Sequence, residues 1–263
     1  MGAIISKYKK RKLLPIIKSN FNKHSQRQIA RKLKIGKTTV NKWSKEIGLF
    51  AKKHTVNEKF FNTLDNISVY ILGYIYADGN VAWDTEKGYY SLTITAAEKD
   101  KPHLEKIRNL LSSTKPLLYA KKTKSYRLIV NNKPLCKRLI ELGVIPRKSL
   151  IIEFPAISKK YLPHFLRGVV DGDGNVRYVS RKRSPYFEIT IASGSRNFLE
   201  SLVKFVSEEI GFMVNIRKIG TNTYQVQYSC SKGEKFGEYI YTNAFLYLER
   251  KYEEYNKSGG KRK

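Results

Sequence analysis

The chain has 263 residues, enough for two or three small domains, and 41% of them are hydrophobic, which excludes a disordered chain. Lysine and arginine number 51 against 22 acids, a formal net charge of +29; such a fold repels itself unless it meets a polyanion, so nucleic acid is the expected partner. No run of about 18 apolar residues, no signal-peptide core behind Ile4 and Ile5, and only two cysteines, Cys136 and Cys230, argue against a membrane span, secretion, a disulfide framework or a zinc site, and predict a reducing, cytoplasmic or nucleoid-associated setting, organellar included.

The first 54 residues carry sixteen Lys/Arg and one acid, Glu46. Lys7 to Lys12 reads as a solvated basic arm, and Leu13 to Ile17 as an apolar helix face with Pro15 near its start. Ser25 with Gln28 forms a capping box, which satisfies free N–H groups at a helix start. Ile29, Ala30 and Leu33 form the inner face of this helix. A second helix over Lys37 to Lys45 buries Val40 and Trp43 and leaves Thr38, Thr39, Asn41 and Lys42 outside. The pair resembles the helix-turn-helix of DNA invertases and many repressors, with Lys34 at the turn position usually held by glycine. That resemblance implies DNA contacts from the four outer residues. A small all-α domain is expected over 1–56, with a linker at Lys52 to Asn57.

The chain then repeats itself. Ile71-Leu-Gly-Tyr-Ile-Tyr-Ala-Asp-Gly-Asn-Val81 matches Leu166-Arg-Gly-Val-Val-Asp-Gly-Asp-Gly-Asn-Val176 at an offset of 95. The same offset places Thr95 on Thr190, Ala97 on Ala192, Leu104 on Leu199 and Glu105 on Glu200. Each copy reads as αββαββα: an apolar helix, strands at Ser91 to Thr95 and Tyr186 to Thr190, and helices at Leu104 to Leu111 and Leu199 to Val206. Further strands follow at Leu117 to Lys122, Tyr126 to Val130, Phe212 to Lys218 and Thr223 to Tyr228. Closing helices are predicted at Pro134 to Leu142 and Tyr239 to Tyr255. The expected class is α+β, with repeats over 57–155 and 156–263, the second ending in a basic tail, related by a pseudo-twofold axis within a monomer.

Gly73 and Ala77 lie four apart, as do Gly168 and Gly172, so each motif helix carries a small-residue face fit for close crossing. Pairing about a twofold axis brings Asp78 and Asp173 together at helix C-termini. There the dipole is already negative and carbonyls lack partners, so a cation is needed. All-oxygen ligands point to Mg²⁺, which activates water and steadies charge on a phosphate being cut. Asp-Gly after a helix is also an ordinary cap; two matched copies in so basic a chain favour catalysis. Asp171, Asp173 and Asn175 have the spacing of a calcium loop, but Val176 stands where glycine is needed and Lys182 where glutamate is needed.

The segments Leu72-Gly-Tyr-Ile-Tyr-Ala-Asp-Gly79 and Leu166-Arg-Gly-Val-Val-Asp-Gly-Asp-Gly174 resemble the two signature helices of LAGLIDADG homing endonucleases. The resemblance covers roughly residues 60 to 255. It implies metal binding by Asp78 and Asp173, with the carbonyls of Ala77 and Gly172. The first acid of the signature is Tyr76 in copy one and Asp171 in copy two. The family places a basic residue beside the scissile phosphate; Asn132-Lys133-Pro134-Leu135 resembles the segment bearing it, which implies Lys133, with Lys232 nearest in copy two. A polar residue ending the first hairpin positions water, implying Glu98 and Ser193.

The resemblance also implies a saddle-shaped sheet along the major groove of double-stranded DNA. Alternation puts Ser91, Thr93 and Thr95 on the reading face of copy one, and Glu188 and Thr190 on that of copy two. Arg127 and Gln225 are near-equivalent, and Gln227, Arg177, Arg181, Lys182, Lys121 and Arg217 extend the face. Arg and Gln suit guanine and adenine edges. The favoured function is hydrolysis of both strands of a long site, leaving staggered ends. A non-cutting regulator is disfavoured because both metal acids are present. An added role on intron RNA stays open, and no intein splice blocks are evident.

Overall fold

The structure is a computed structural model describing residues 7–21, 23–49, 54–84, 86, 88–146, 150–181 and 184–258. The chain divides into two compact units, residues 1–53 and 54–263. The second unit starts before residue 57, because the Thr55 amide donates to Thr114 Oγ1 at 2.9 Å and the Asn57 amide to the Leu111 carbonyl at 2.9 Å. No helix among the described residues is long and apolar enough to cross a membrane.

The first unit is a three-helix cluster. Helix α1 spans Lys7–Asn20 with Pro15 inside it, so the expected arm at Lys7 to Lys12 is helical instead. The reason is its inner face. Lys10, Leu13, Leu14 and Ile17 recur at helical spacing; Ile17 is fully buried, and Lys10 pairs with Glu46 at 2.5 Å and lies over Trp43. Helices α2 (Gln26–Leu33) and α3 (Lys37–Glu46) follow, with the Ser25–Gln28 capping box formed in both directions. Lys34 makes the turn in the left-handed region at φ 52°. Ile29, Ala30, Val40 and Trp43 close the small core with Ile17.

The second unit holds two copies of one unit. Copy one runs α4 (Asn66–Asp78), β1 (Gly79–Asp84), β2 (Tyr89–Ala97), α5 (Lys101–Leu110), β3 (Leu118–Ala120), β4 (Ser125–Val130) and α6 (Lys133–Glu141). Copy two runs α7 (Leu162–Asp173), β5 (Gly174–Val179), β6 (Tyr186–Ser193), α8 (Arg196–Ile210), β7 (Arg217–Gly220), β8 (Thr223–Ser229) and α9 (Ser231–Tyr241). Both sheets are antiparallel with the same order, β1-β2-β4-β3 and β5-β6-β8-β7. Leu92, Ile94 and Leu128, and likewise Ile189, Ile191 and Val226, turn inward onto the core.

Two expectations need correction. The closing helix of copy two is not continuous over Tyr239 to Tyr255. It breaks at Thr242, with Asn243 at φ 55°, and resumes as α10 (Glu249–Lys257), an element without a counterpart among the described residues of copy one. The offset of 95 also fails in the sheet. Gly79 pairs with Ile94, while Gly174 pairs with Ile191, so the equivalent residues there are 97 apart. The β5–β6 turn is two residues longer than the β1–β2 turn. Thr93 therefore corresponds to Thr190, Ser91 to Glu188 and Thr95 to Ala192; the Thr95–Thr190 match is a coincidence of a Thr-x-Thr pattern. The offset returns to 95 at the helix caps Asp100 and Ser195.

Candidate active site

The small-residue faces meet as the spacing requires. A Cβ on Gly73 would lie 2.1 Å from the Phe165 carbonyl oxygen, and one on Gly168 would lie 2.1 Å from that of Tyr70. Only glycine lets α4 and α7 approach so closely. Lower down, a Cβ on Gly172 would meet Ala77 Cβ at 2.3 Å and Asp78 Oδ2 at 3.5 Å. The carboxylate of copy one thus lies against the motif backbone of copy two. Asp78 and Asp173 are the last residues of α4 and α7.

A cleft of about 650 Å³ opens around Asp78, lined also by Tyr74, Thr95, Asp100, Ser125, Arg127, Asp171, Gly172 and Arg250. The Tyr74 hydroxyl is hydrogen bonded to Asp78, and burial, then the nearby acids, push this phenol well above its ordinary pKa. The groups expected to hold a metal are all oxygens, the carboxylates of Asp78 and Asp173 and the carbonyls of Ala77 and Gly172; of these residues, Asp78 and Gly172 line the cleft. Among the described residues there is no group of three His, Cys, Asp or Glu fit to hold a metal. This set fits a hard cation that keeps water and takes phosphate oxygens, rather than a thiolate- or imidazole-bound one.

The sequence reading missed Lys251. This α10 side chain is buried, and its Nζ donates to the carbonyls of Val170 at 2.7 Å, Asp171 at 2.8 Å and Gly174 at 2.5 Å, with Gly172 at 3.4 Å. An ammonium thus satisfies the open carbonyls at the end of α7. Burial lowers its pKa to about 8. Beside it, Arg250 forms a two-point pair with Asp100 of copy one, at 2.8 and 3.0 Å. Helix α10 therefore ties the two copies together beneath the cleft. A signal was present: Leu248, Lys251 and Tyr255 share one inward helical phase, which places a lysine on an apolar stripe.

The first signature position serves both copies differently. Asp171 accepts from Tyr70 Oη at 2.6 Å, the Leu248 amide at 2.8 Å and Tyr241 Oη at 3.3 Å. Burial raises its pKa to about 6. Tyr76, its counterpart, donates to the Leu142 carbonyl at 2.6 Å.

The two lysines expected beside the phosphate lie elsewhere. Lys133 opens α6 beyond the end of β4, with its Nζ 5.5 Å from the Tyr90 ring centroid. Tyr90 is four residues along β2 from Ile94, the partner of Gly79, or roughly 13 Å away. Asn132 caps α6 and Pro134 fills its first turn, so Asn-Lys-Pro-Leu is a helix-start signal. Lys232 sits equivalently at the start of α9 and donates to the Met213 carbonyl at 3.0 Å. Glu98 lies in a 3₁₀ turn at the cleft end of β2, but its carboxylate accepts from Tyr119 Oη at 3.3 Å. Asp100, two residues on, lines the cleft instead.

On the open faces of the sheets, Thr93 and Thr95 are half-buried, and Arg127 is exposed opposite Thr95. Ser91 is buried, with its hydroxyl donating to Asn131 Oδ1 at 3.0 Å. Arg177 faces Glu188, Thr190 faces Gln227, and Gln225 faces Arg217. Lys121 and Arg181 occupy turns outside the strands, and Lys182 lies outside the described residues. In the first unit Thr38, Asn41 and Lys42 are exposed on α3 and Thr39 is half-buried.

The family model of the LAGLIDADG-like domain matches residues 65–143 and 161–241, once per copy and over more than half of the chain. No curated protein sequence matches. The LAGLIDADG meganuclease I-AabMI, solved bound to uncleaved DNA, shares the fold with a TM-score of 0.50 and 15% identity, over 72% of this chain and 87% of that one. Mesophilic variants of the homing endonuclease I-DmoI align with a TM-score of 0.49 and 16% identity, over 73% of this chain and 93% of that one. With one family match on each repeat, the chain belongs to the LAGLIDADG family and carries both motifs in a single polypeptide.

Proposed function

We propose that this protein is a site-specific homing endonuclease that hydrolyses both strands of a long DNA duplex, using Mg²⁺ and leaving staggered ends. The observation that carries this is the meeting of the two motif ends, with Asp78 against the Gly172 backbone under a cleft flanked by Arg127 and Arg250. When bound, a divalent cation supplies a polarised water and charge on the cleaved phosphate. Asp78 and Asp173, with the carbonyls of Ala77 and Gly172, would hold it. Tyr74 orients the Asp78 carboxylate. Arg127 offers its cation to the phosphate backbone crossing the cleft. Lys251 steadies the end of α7 from below. The open sheet faces lie along the major groove, and α3 of the first unit adds contacts to flanking duplex. Each copy supplies one acid, so the monomer cuts both strands.

Asp78→Asn and Asp173→Asn test the reading. On a duplex site selected from a randomised library, each variant binds close to wild type but does not linearise DNA in Mg²⁺. A variant that cuts at the wild-type rate removes the assignment.

A further inference from the structure

Glu188 has an unusual position for a residue on a DNA-facing sheet surface. It is 2% exposed, yet its side chain stands on the open face of β6, not in the core. Its Oε1 accepts from Arg177 Nε at 2.8 Å and Arg177 Nη2 at 2.7 Å. Its Oε2 accepts from Ser229 Oγ at 3.0 Å and from Gln227 Nε2. Burial pushes the carboxyl upward, but these donors overcome it and hold Glu188 ionised, below its ordinary pKa. So saturated a carboxylate has little left to offer a base. It is a holder.

What it holds is Arg177. The Arg177 side chain is 53% exposed and directly opposite Glu188 in the strand register. With Nε and one Nη2 hydrogen fixed, the remaining Nη1 and Nη2 hydrogens form an outward fork. That fork matches the O6 and N7 acceptors of guanine in the major groove. A phosphate-binding arginine needs no such anchor, because phosphate contacts tolerate many rotamers. We infer that Arg177, positioned by Glu188, is a guanine reader; this rests on the endonuclease reading above.

The inference has a built-in asymmetry. In copy one the same cross-strand pair is Ala82 opposite Ser91. No fork exists there, so the guanine belongs to one half-site only. Arg177 is three residues along β5 from Gly174, the strand's first residue after Asp173, or about 10 Å, which corresponds to about three base pairs from the metal-proximal end.

The test uses the full chain carrying Asp78→Asn to block cutting. Bound duplexes are selected from a randomised library and sequenced. The parent should return one strong guanine on the copy-two side, without a symmetric mate. Arg177→Ala should lower that guanine preference roughly tenfold to a hundredfold and leave other positions unchanged. Arg177→Lys should not restore it, because a point charge has no fork. Glu188→Gln should relax the same position, with circular dichroism showing that the fold persists. If Arg177→Ala leaves the guanine intact, or weakens all positions evenly, Arg177 is not the reader and the inference falls. If the parent enriches no site at all, the endonuclease reading falls and takes this inference with it. The parent selection thus separates the two failures.

Discussion

Tyr70 of copy one donates its hydroxyl hydrogen to Asp171 of copy two at 2.6 Å, across a separation of 101 residues. Both groups are fully or nearly fully buried, and the Tyr70 carbonyl lies where a Cβ on Gly168 would clash. The bond is therefore part of the seam between copies. Tyr70→Phe removes one donor from a buried carboxylate, so a loss of about 1–3 kcal/mol is expected. Urea unfolding of the full chain measures it. An unchanged midpoint would mean that Leu248 and Tyr241 alone satisfy Asp171.

A pH dependence follows from the group behind Tyr70. His103 Nε2 is 2.9 Å from Tyr70 Oη, and since that hydroxyl donates to Asp171, the imidazole is the donor. Burial lowers the His103 pKa from 6.5 to about 4. Between these values the unfolded chain binds one more proton, so stability falls as pH drops from 6.5 towards 4, by up to about 3 kcal/mol. Asp171, raised from 3.8 to about 6, acts oppositely in that window by gaining its proton in the folded state first. The two contributions nearly cancel, so His103→Gln leaves that of Asp171 unopposed, and the variant should gain stability relative to wild type as pH falls from 6.5 to 4. Equal slopes for the two proteins at pH 4, 5 and 6 would show that this histidine is not the titrating group.

The lysines separate by position. Lys251→Met leaves the carbonyls of Val170, Asp171 and Gly174 without their shared donor at the end of α7. Cutting of one strand should slow by about tenfold or more, by analogy with single electrostatic donors, and nicked circles should accumulate from a supercoiled plasmid. Lys133→Met, at the outer end of the sheet, should cut within about twofold of wild type, since surface changes away from a site perturb little. The reverse pattern on the gel would restore Lys133 to the site.

Deleting residues 1–53 removes sixteen Lys/Arg and one acid. The remaining chain keeps both motifs and should still cut, with weaker binding and a shallower slope of log affinity against log salt. A slope equal to that of the full chain would show that α3 does not touch DNA.

How much of this was legible from residues is clearest at the motifs. Gly73, Ala77, Gly168 and Gly172 announce a close crossing because small side chains at helical spacing have few other uses, and the acids follow at the end of each helix. The sheet register was not legible. Thr93, Thr95 and Thr190 repeat with period two, so a shift of two residues leaves the side-chain pattern nearly intact. The lysine was misread for another reason. Asn132-Lys133-Pro134 is conspicuous because it starts a helix, whereas Lys251 sits in α10, which has no counterpart among the described residues of copy one to compare with. Pro15 was placed near a helix start because local rules favour it there; the buried face from Lys10 to Ile17 overrides them.

The contrast between Tyr76 and Asp171 decides whether the halves of this molecule are interchangeable. Tyr76 gives a hydrogen to the Leu142 carbonyl, while Asp171 takes one from the Leu248 amide. The two halves thus fit their closing loops with opposite polarity, like a plug and a socket. Duplicating copy two into the place of copy one would carry Leu248 along with Asp171, but it would set Phe165 where Tyr70 stands and remove the hydroxyl that Asp171 accepts from across the seam. Covalent linkage lets the halves diverge in this way. It also means that a symmetric dimer made from either half lacks one partner of the Tyr70–Asp171 pair.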